Sequence, residues 1–234
     1  MEVIPERLGD VPTRVLVVAA HPDDETLGAG GTIPRHVARG DDVLVCLLSD
    51  GVAARHDQSD LQRRCAEKAC GVLGVRDVVF CDLPDQGLDA LPLLDVIRPI
   101  EDCVREFRPQ IVYTHYMEDV NQDHRAVFRA TMVATRPVGG SPVRKLLCFE
   151  TPSSTEWAPP FSGNVFAPNV FVDVSDTLSL KIEALSVYEH THVSEIHPYP
   201  HPRSYEGVRI YAQRHGVTVG LSAAEPFMLV RQLI

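Results

Sequence analysis

The residues Ala20-His21-Pro22-Asp23-Asp24-Glu25 put an imidazole and three carboxylates at the end of an apolar run that begins near Arg14. A strand end holds side chains rigidly at a sheet edge open to solvent, as a reactive centre requires. Asp24 follows His21 by three residues, so a turn fixed by Pro22 can return its carboxylate to the imidazole. Adjacent Asp23 and Asp24 do not readily face the same way, which suits one metal ligand and one free acid–base group. The competing reading is a loop whose acids favour the start of a helix. A second segment, Asp119-Val-Asn121-Gln-Asp123-His124-Arg125, offers His124 as a third ligand and Asp123 as a carboxylate to orient a ligating imidazole. Taken singly, this segment reads better as Asp123 capping a helix with His124 exposed in the first turn. Together the two segments give two His and one carboxylate, a set that leaves one zinc position for water. Such an ion lowers the pKa of its water to about 7 and polarises a carbonyl oxygen. A free carboxylate beside it then serves as general base and later as general acid.

The elements that must hold these groups alternate between strand and helix. Arg14 to Ala20 reads as a central parallel strand buried on both faces. A helix is predicted over Leu27 to Arg39, a strand over Val43 to Leu48, a helix over Gln58 to Leu73 and a short strand over Asp77 to Cys81. The next helix, Leu93 to Phe107, contains Pro99, which must kink or interrupt it. Gln110 to Thr114 is the following strand and His124 to Thr135 the following helix. Four β–α units in series predict an α/β fold, a Rossmann-like parallel sheet flanked by helices. Its ligands would sit outside the carboxyl ends of the strands, where His21, Ser49-Asp50, Asp82 to Gln86 and His115 to His124 collect. The C-terminal third is loop-rich. It holds strands at Lys145 to Phe149, Val170 to Val174 and Phe227 to Leu233, and helices at Thr177 to Tyr188, capped by Ser175 or Asp176, and at Tyr205 to Arg214.

At 234 residues the chain suffices for a single domain over 1–234 with a full core. A formal charge of −10 argues against binding nucleic acid through its phosphates, which needs a basic face. No apolar run approaches a membrane span, and the first residues lack the pattern of a signal peptide. The six cysteines form no CxxC pair and read as reduced core residues, which points to a cytoplasmic protein. Gly28-Ala-Gly30-Gly31 lacks either phosphate-loop pattern, so close helix–strand packing accounts for it better. No serine sits in a nucleophile elbow. Glu25 reads as a helix-start acid rather than a fourth ligand, and Trp157 as a loop residue that packs or lines a pocket.

The motifs AHPDDE at 20–25 and NQDHRAV at 121–127 resemble those of the PIG-L/LmbE family of metal-dependent N-deacetylases. Ser49-Asp50-Gly51, Leu83-Pro-Asp85, the 63–74 helix ending in VLG and the late Ala224-Glu225-Pro-Phe227 extend that resemblance over nearly the whole chain. The resemblance implies His21, Asp24 and His124 as ligands of one Zn2+ per chain, iron being an alternative for such a mixed site. It implies Asp23 as the base, Asp85 as a partner of substrate hydroxyls, and Arg63 or Arg55 as a basic substrate contact. It further implies a small N-acyl amino-sugar-like substrate and a homo-oligomer, trimer or hexamer. Where some members carry a second His, this chain has Asn121, whose amide can support an oxyanion but cannot deliver a proton. Asp23 would then serve both proton steps, or His115, His192, His197 or His201 would assist, His201 being favoured. The alternative from another class is a metal-free Rossmann-like module that binds sugar or nucleotide; a third is the same metal site acting on other small amides or esters.

Overall fold

The computed structural model describes residues 12–51, 59–161, 163, 165–189 and 195–234. The first strand, β1 (Arg14–Ala19), shows why its run is apolar on both faces. Val15, Val17 and Ala19 enter one core, while Leu16, Val18 and the following Ala20 enter another. The first core is covered by α1 (Asp24–Ala29), α2 (Thr32–Ala38), α3 (Ser59–Leu73), α6 (Leu178–Ser186) and α7 (Tyr205–Thr218). The second lies under α4 (Leu93–Phe107) and α5 (Gln122–Ala134).

The remaining strands are β2 (Asp42–Ser49), β3 (Asp77–Leu83), β4 (Ile111–Thr114), β5 (Lys145–Phe149), β6 (Val170–Asp173) and β7 (Ala224–Gln232). They form one sheet in the order β3-β2-β1-β4-β5-β7-β6. β1 to β5 run parallel, and β7 runs antiparallel between β5 and β6. The winding reverses between β1 and β4, which pair directly from Val15 opposite Ile111. A crevice opens at the carboxyl ends of strands where the order reverses. The two chemical segments leave the sheet at that point, one from β1 and one from β4.

Three expectations about elements are corrected. The helix predicted over Leu27 to Arg39 is two helices broken at Gly30-Gly31. The amides of Gly31 and Thr32 donate to the Glu225 carboxylate at 2.8 and 2.7 Å, and Lys181 Nζ bridges Glu225 (2.6 Å) to the carbonyl of Leu27 (2.8 Å). A carboxylate thus meets one helix start and an ammonium the preceding helix end, the arrangement that peptide dipoles favour. A Cβ on Gly28 would lie 2.3 Å from the Phe149 ring, so the close packing expected of these glycines is present. Next, α4 continues through Pro99, held by its stripe of Val96, Ile97, Ile100, Cys103 and Val104 against the sheet. Finally, Thr177 rather than Ser175 or Asp176 precedes α6, with no side-chain cap. All six cysteines are free thiols. Among the described residues, no helix is long and apolar enough to cross a membrane.

Candidate metal centre and active site

His21 leaves β1 with its ring turned back on Asp24: Nδ1 lies 3.0 Å from Asp24 Oδ2, which also accepts the His21 backbone N–H at 3.0 Å. From the β4 side, His124 brings Nε2 to 3.2 Å from the same oxygen. All three residues are buried, and their ligand atoms lie within 4.8 Å of one another. Each imidazole is backed by a carboxylate on its far nitrogen. Asp123 Oδ2 stands 3.1 Å from His21 Nε2, and Asp119 Oδ2 stands 3.2 Å from His124 Nδ1. These carboxylates set the tautomer that presents the other nitrogen's lone pair to a cation. They are fixed in turn. Asp123 accepts the Leu88 N–H at 3.0 Å, and Asp119 accepts the Thr155 hydroxyl at 2.7 Å, the Asn121 N–H at 2.9 Å and the Ser154 hydroxyl.

Two buried atoms in this cluster, Asp24 Oδ1 and His124 Nε2, have no hydrogen-bond partner among the described residues. Buried polar atoms are almost always satisfied, and a cation would satisfy both. The surrounding field favours positive charge. Burial disfavours the His21 imidazolium, yet hydrogen bonds to Asp123 and Asp24 outweigh it and push the pKa up to about 10. Burial raises the Asp119 carboxyl, but the hydrogen bond with His124 and its neighbours bring it down to about 2. The donor set of two imidazoles and a carboxylate fits zinc and fits iron.

Asp23 is held apart from the cluster. Its backbone has φ 113°, ψ −31°, a region that non-glycine residues rarely enter. Glu25 holds it there by accepting the Asp23 N–H at 3.0 Å and the Thr26 hydroxyl at 2.6 Å. Glu25 is therefore a helix-start acid folded onto the backbone, outside the ligand clusters of the described residues. The Asp23 side chain turns toward the C-terminal loops, where Arg203 Nη1 donates to Oδ2 at 2.8 Å. Arg203 also bonds Glu195 Oε2 (2.8 Å), Ser153 Oγ (2.7 Å) and the Pro152 carbonyl (3.3 Å). Burial pushes the Asp23 carboxyl well above its ordinary range, and Arg203 opposes that rise.

A family profile described as GlcNAc-PI de-N-acetylase, PIG-L, matches residues 16–135, from within β1 to just past α5, and so takes in every one of these groups except the C-terminal loops. The chain belongs to the PIG-L family. It is 29% identical over 187 residues to the uncharacterized deacetylase YaiS of Escherichia coli K12, covering 75% of this chain and 90% of that one. It is 31% identical over 169 residues to a 1D-myo-inositol 2-acetamido-2-deoxy-alpha-D-glucopyranoside deacetylase of Thermomonospora curvata, spanning 57% of each chain. The fold is shared with GalB, a 4-carboxy-2-hydroxymuconate hydratase of Pseudomonas putida KT2440, at a TM-score of 0.75 and 22% identity, covering 95% and 98% of the two chains. A hydratase on this fold shows that the architecture by itself does not choose the reaction. Membership of a de-N-acetylase family marks this chain as an enzyme of that class.

Of the residues singled out in the sequence, the structure brings His21, Asp24 and His124 together and anchors Asp23 separately, on Arg203. Asp85, also buried, approaches His21 on the side of Asp123, with Oδ1 3.5 Å from His21 Nε2 and Gln86 Nε2 donating to it at 3.4 Å. The alternative that Asp123 caps α5 and exposes His124 does not hold. Asn121 is the cap, its Oδ1 accepting the Asp123 N–H at 2.9 Å, and His124 is buried. The Asn121 side chain therefore keeps only its NH2 for a substrate. Arg63 stands away from the cluster, ion-paired with Asp82 and stacked 4.2 Å over the Phe80 ring. It lines a cavity of about 170 Å³ that reaches Pro22 and Asp50. His201 lies in the loop beside Arg203, whose N–H it accepts at Nδ1 (3.1 Å). His115 is no proton donor to a substrate: fully buried, it accepts the Ala20 N–H at Nε2 (2.9 Å) and stacks 3.8 Å from the His124 ring. Burial and His124 hold its pKa well below the usual value. Arg55 and His192 fall outside the described residues.

Ser154, Glu195 and Arg203 carry no local signal in the sequence. The only sequence signal for Asp119 was its place in the acidic segment before His124.

Proposed function

We propose that this chain is a metal-dependent amide hydrolase that removes an N-acyl group, acetyl first, from a small amino sugar or glycoconjugate. One observation carries the reading: two buried imidazoles and a carboxylate converge, each imidazole locked by its own carboxylate, with a second, separately anchored carboxyl alongside. Within a de-N-acetylase family, that is the equipment of amide hydrolysis.

His21, Asp24 and His124 would hold one divalent ion, zinc by donor type with iron an alternative. When bound, it supplies a water acidic enough to ionise near neutrality and polarises the amide carbonyl. Asp23 takes the proton of the attacking water and returns one to the leaving amine. A carboxyl raised by burial yet still ion-paired suits both transfers. Arg203 fixes one Asp23 oxygen and leaves the other for the proton. The Asn121 NH2 is the donor for the developing oxyanion. Asp85 holds sugar hydroxyls, and Arg63 lines the cavity beside Pro22.

The test is acetate release from N-acetylated amino sugars by metal-loaded and chelator-stripped protein. Release by the loaded form, lost on stripping and regained on zinc addition, is expected. No release from any N-acetyl sugar by protein carrying about one ion per chain would overturn the proposal.

A further inference from the structure

The C-terminal loops present one feature that deacylation chemistry leaves without a task. Trp157, the only tryptophan of the chain, ends a short 3₁₀ turn (Thr155–Trp157) and is 56% exposed. Its ring stands at 88° to that of His201, centroids 5.8 Å apart, so the two make perpendicular walls. This corner is pinned to the reaction centre from both sides. The Trp157 backbone N–H donates to the Ser154 carbonyl at 3.3 Å, and the Ser154 hydroxyl donates to Asp119, which backs His124. His201 accepts the N–H of Arg203, and Arg203 bonds both Asp23 and Ser153. Because His201 Nδ1 is an acceptor, its Nε2 carries the proton of the neutral ring.

A pyranose ring has an apolar face of C–H groups and a rim of hydroxyls. An exposed indole beside an imidazole N–H answers both, since an indole offers large apolar area at low conformational cost. We propose that Trp157 and His201 form a carbohydrate-binding face next to the reaction centre, which takes the sugar ring adjoining the N-acylated one. The proposal rests on the amino-sugar reading of the site. The indole packs against the C–H face of that second ring, and His201 Nε2–H donates to one of its hydroxyls.

A single tryptophan makes the face directly observable. The probe ligands are N-acetylglucosamine and its β-1,4-linked dimer, added to the metal-loaded Asp23→Asn variant so that turnover does not blur binding, with Trp157 emission as readout. The dimer is expected to change the emission saturably, and the monosaccharide to leave it unaltered. In the otherwise unmodified enzyme, Trp157→Ala should raise the ratio of KM for the dimer to KM for the monosaccharide by about three- to tenfold, with Trp157→Phe recovering part of it. An emission indifferent to the dimer, or an unchanged KM ratio, overturns the proposal. So does an emission that follows protein concentration and ignores sugar, which would assign the face to a second copy of the chain. The two readings fail separately. Acetate release from both sugars with silent emission removes the face and keeps the reaction; an emission response without acetate release from any N-acetyl sugar does the reverse.

Discussion

On one side of the centre, His21 to Asp24 and Asp119 to His124 follow the adjacent parallel strands β1 and β4; on the other, residues 150–157 and 195–204 reach it from the loops after β5 and before α7. On the strand-end side the metal-holding groups and the carboxylates behind them are buried, their donor atoms held by backbone amides and paired carboxylates. The loop side is wetter and tied by side chains: Arg203 alone joins Asp23, Glu195, Ser153 and Pro152. Groups that must hold a cation to a few tenths of an ångström need the rigid side. Groups that meet a substrate of variable outline can sit on loops, where change costs the core least. On the proposed function, the strand ends would carry the reaction, and the loops would anchor Asp23 and tune what is acted on.

Substitutions on the strand-end side should therefore have the largest effects. His124→Ala removes a ligand and unpairs Asp119, so metal content measured by elemental analysis should fall from about one ion per chain to near zero, and activity with it. Asp23→Asn should keep the ion and lower kcat by about 10²–10⁴, the range typical of a lost general base. An Asp23→Asn variant of normal activity would move the base elsewhere and break the division drawn above.

How far the two sides were legible in the sequence follows the same division. His21 and Asp24 could be read because they are neighbours in the chain and follow a strand whose alternate residues fill two cores. β1 to β5, α3 and α4 were legible for the same local reason, a periodic apolar pattern. Arg203 was not, because its partner Asp23 lies 180 residues away and no local pattern reports such a contact. Ser154 bonds Asp119 over 35 residues, with the same result. The break between α1 and α2 depends on Glu225, 194 residues from Gly31, although the Gly30-Gly31 pair was a visible warning. Asn121 as a cap was readable, since Asn is among the best N-cap residues and stands just before the helix, although Asp123 two residues on is an equally good cap by type.

Smaller effects come from residues that act through others, and they probe the boundary between the two sides. Asp119→Asn keeps the shape but weakens the hold on His124, so metal affinity should drop by about 10–100-fold in a competition titration. With the ion supplied in excess, kcat should largely recover; a kcat that stays low would give Asp119 a role beyond orienting His124. Arg203→Ala should instead leave metal affinity alone and lower kcat about ten- to hundredfold, the value of a hydrogen bond to a charged group. Arg203→Lys should recover little, because an ammonium cannot reach Asp23 and Ser153 at once with the fork of a guanidinium. A metal loss in Arg203→Ala would merge the two sides into one unit.

The smallest effect on activity, yet a large one on stability, is expected at Lys181. Its ammonium joins the end of α1 to Glu225 on β7, and so ties the first turn after the metal motif to the C-terminal third. Removing one partner of a buried ion pair costs about 3–5 kcal/mol because it strands the other charge. Lys181→Met should fall near the lower figure, since the Gly31 and Thr32 amides at the start of α2 still donate to Glu225. For a chain of this size, about 3 kcal/mol corresponds to a Tm lowered by roughly 6–12 °C in a thermal melt. Activity per folded molecule should stay within about twofold, because burial and backbone bonds, not this pair, hold His21 and Asp24 in place. If Lys181→Met instead lost metal while remaining folded, the rigidity assigned to the strand ends would have to be shared with the C-terminal third that clamps them.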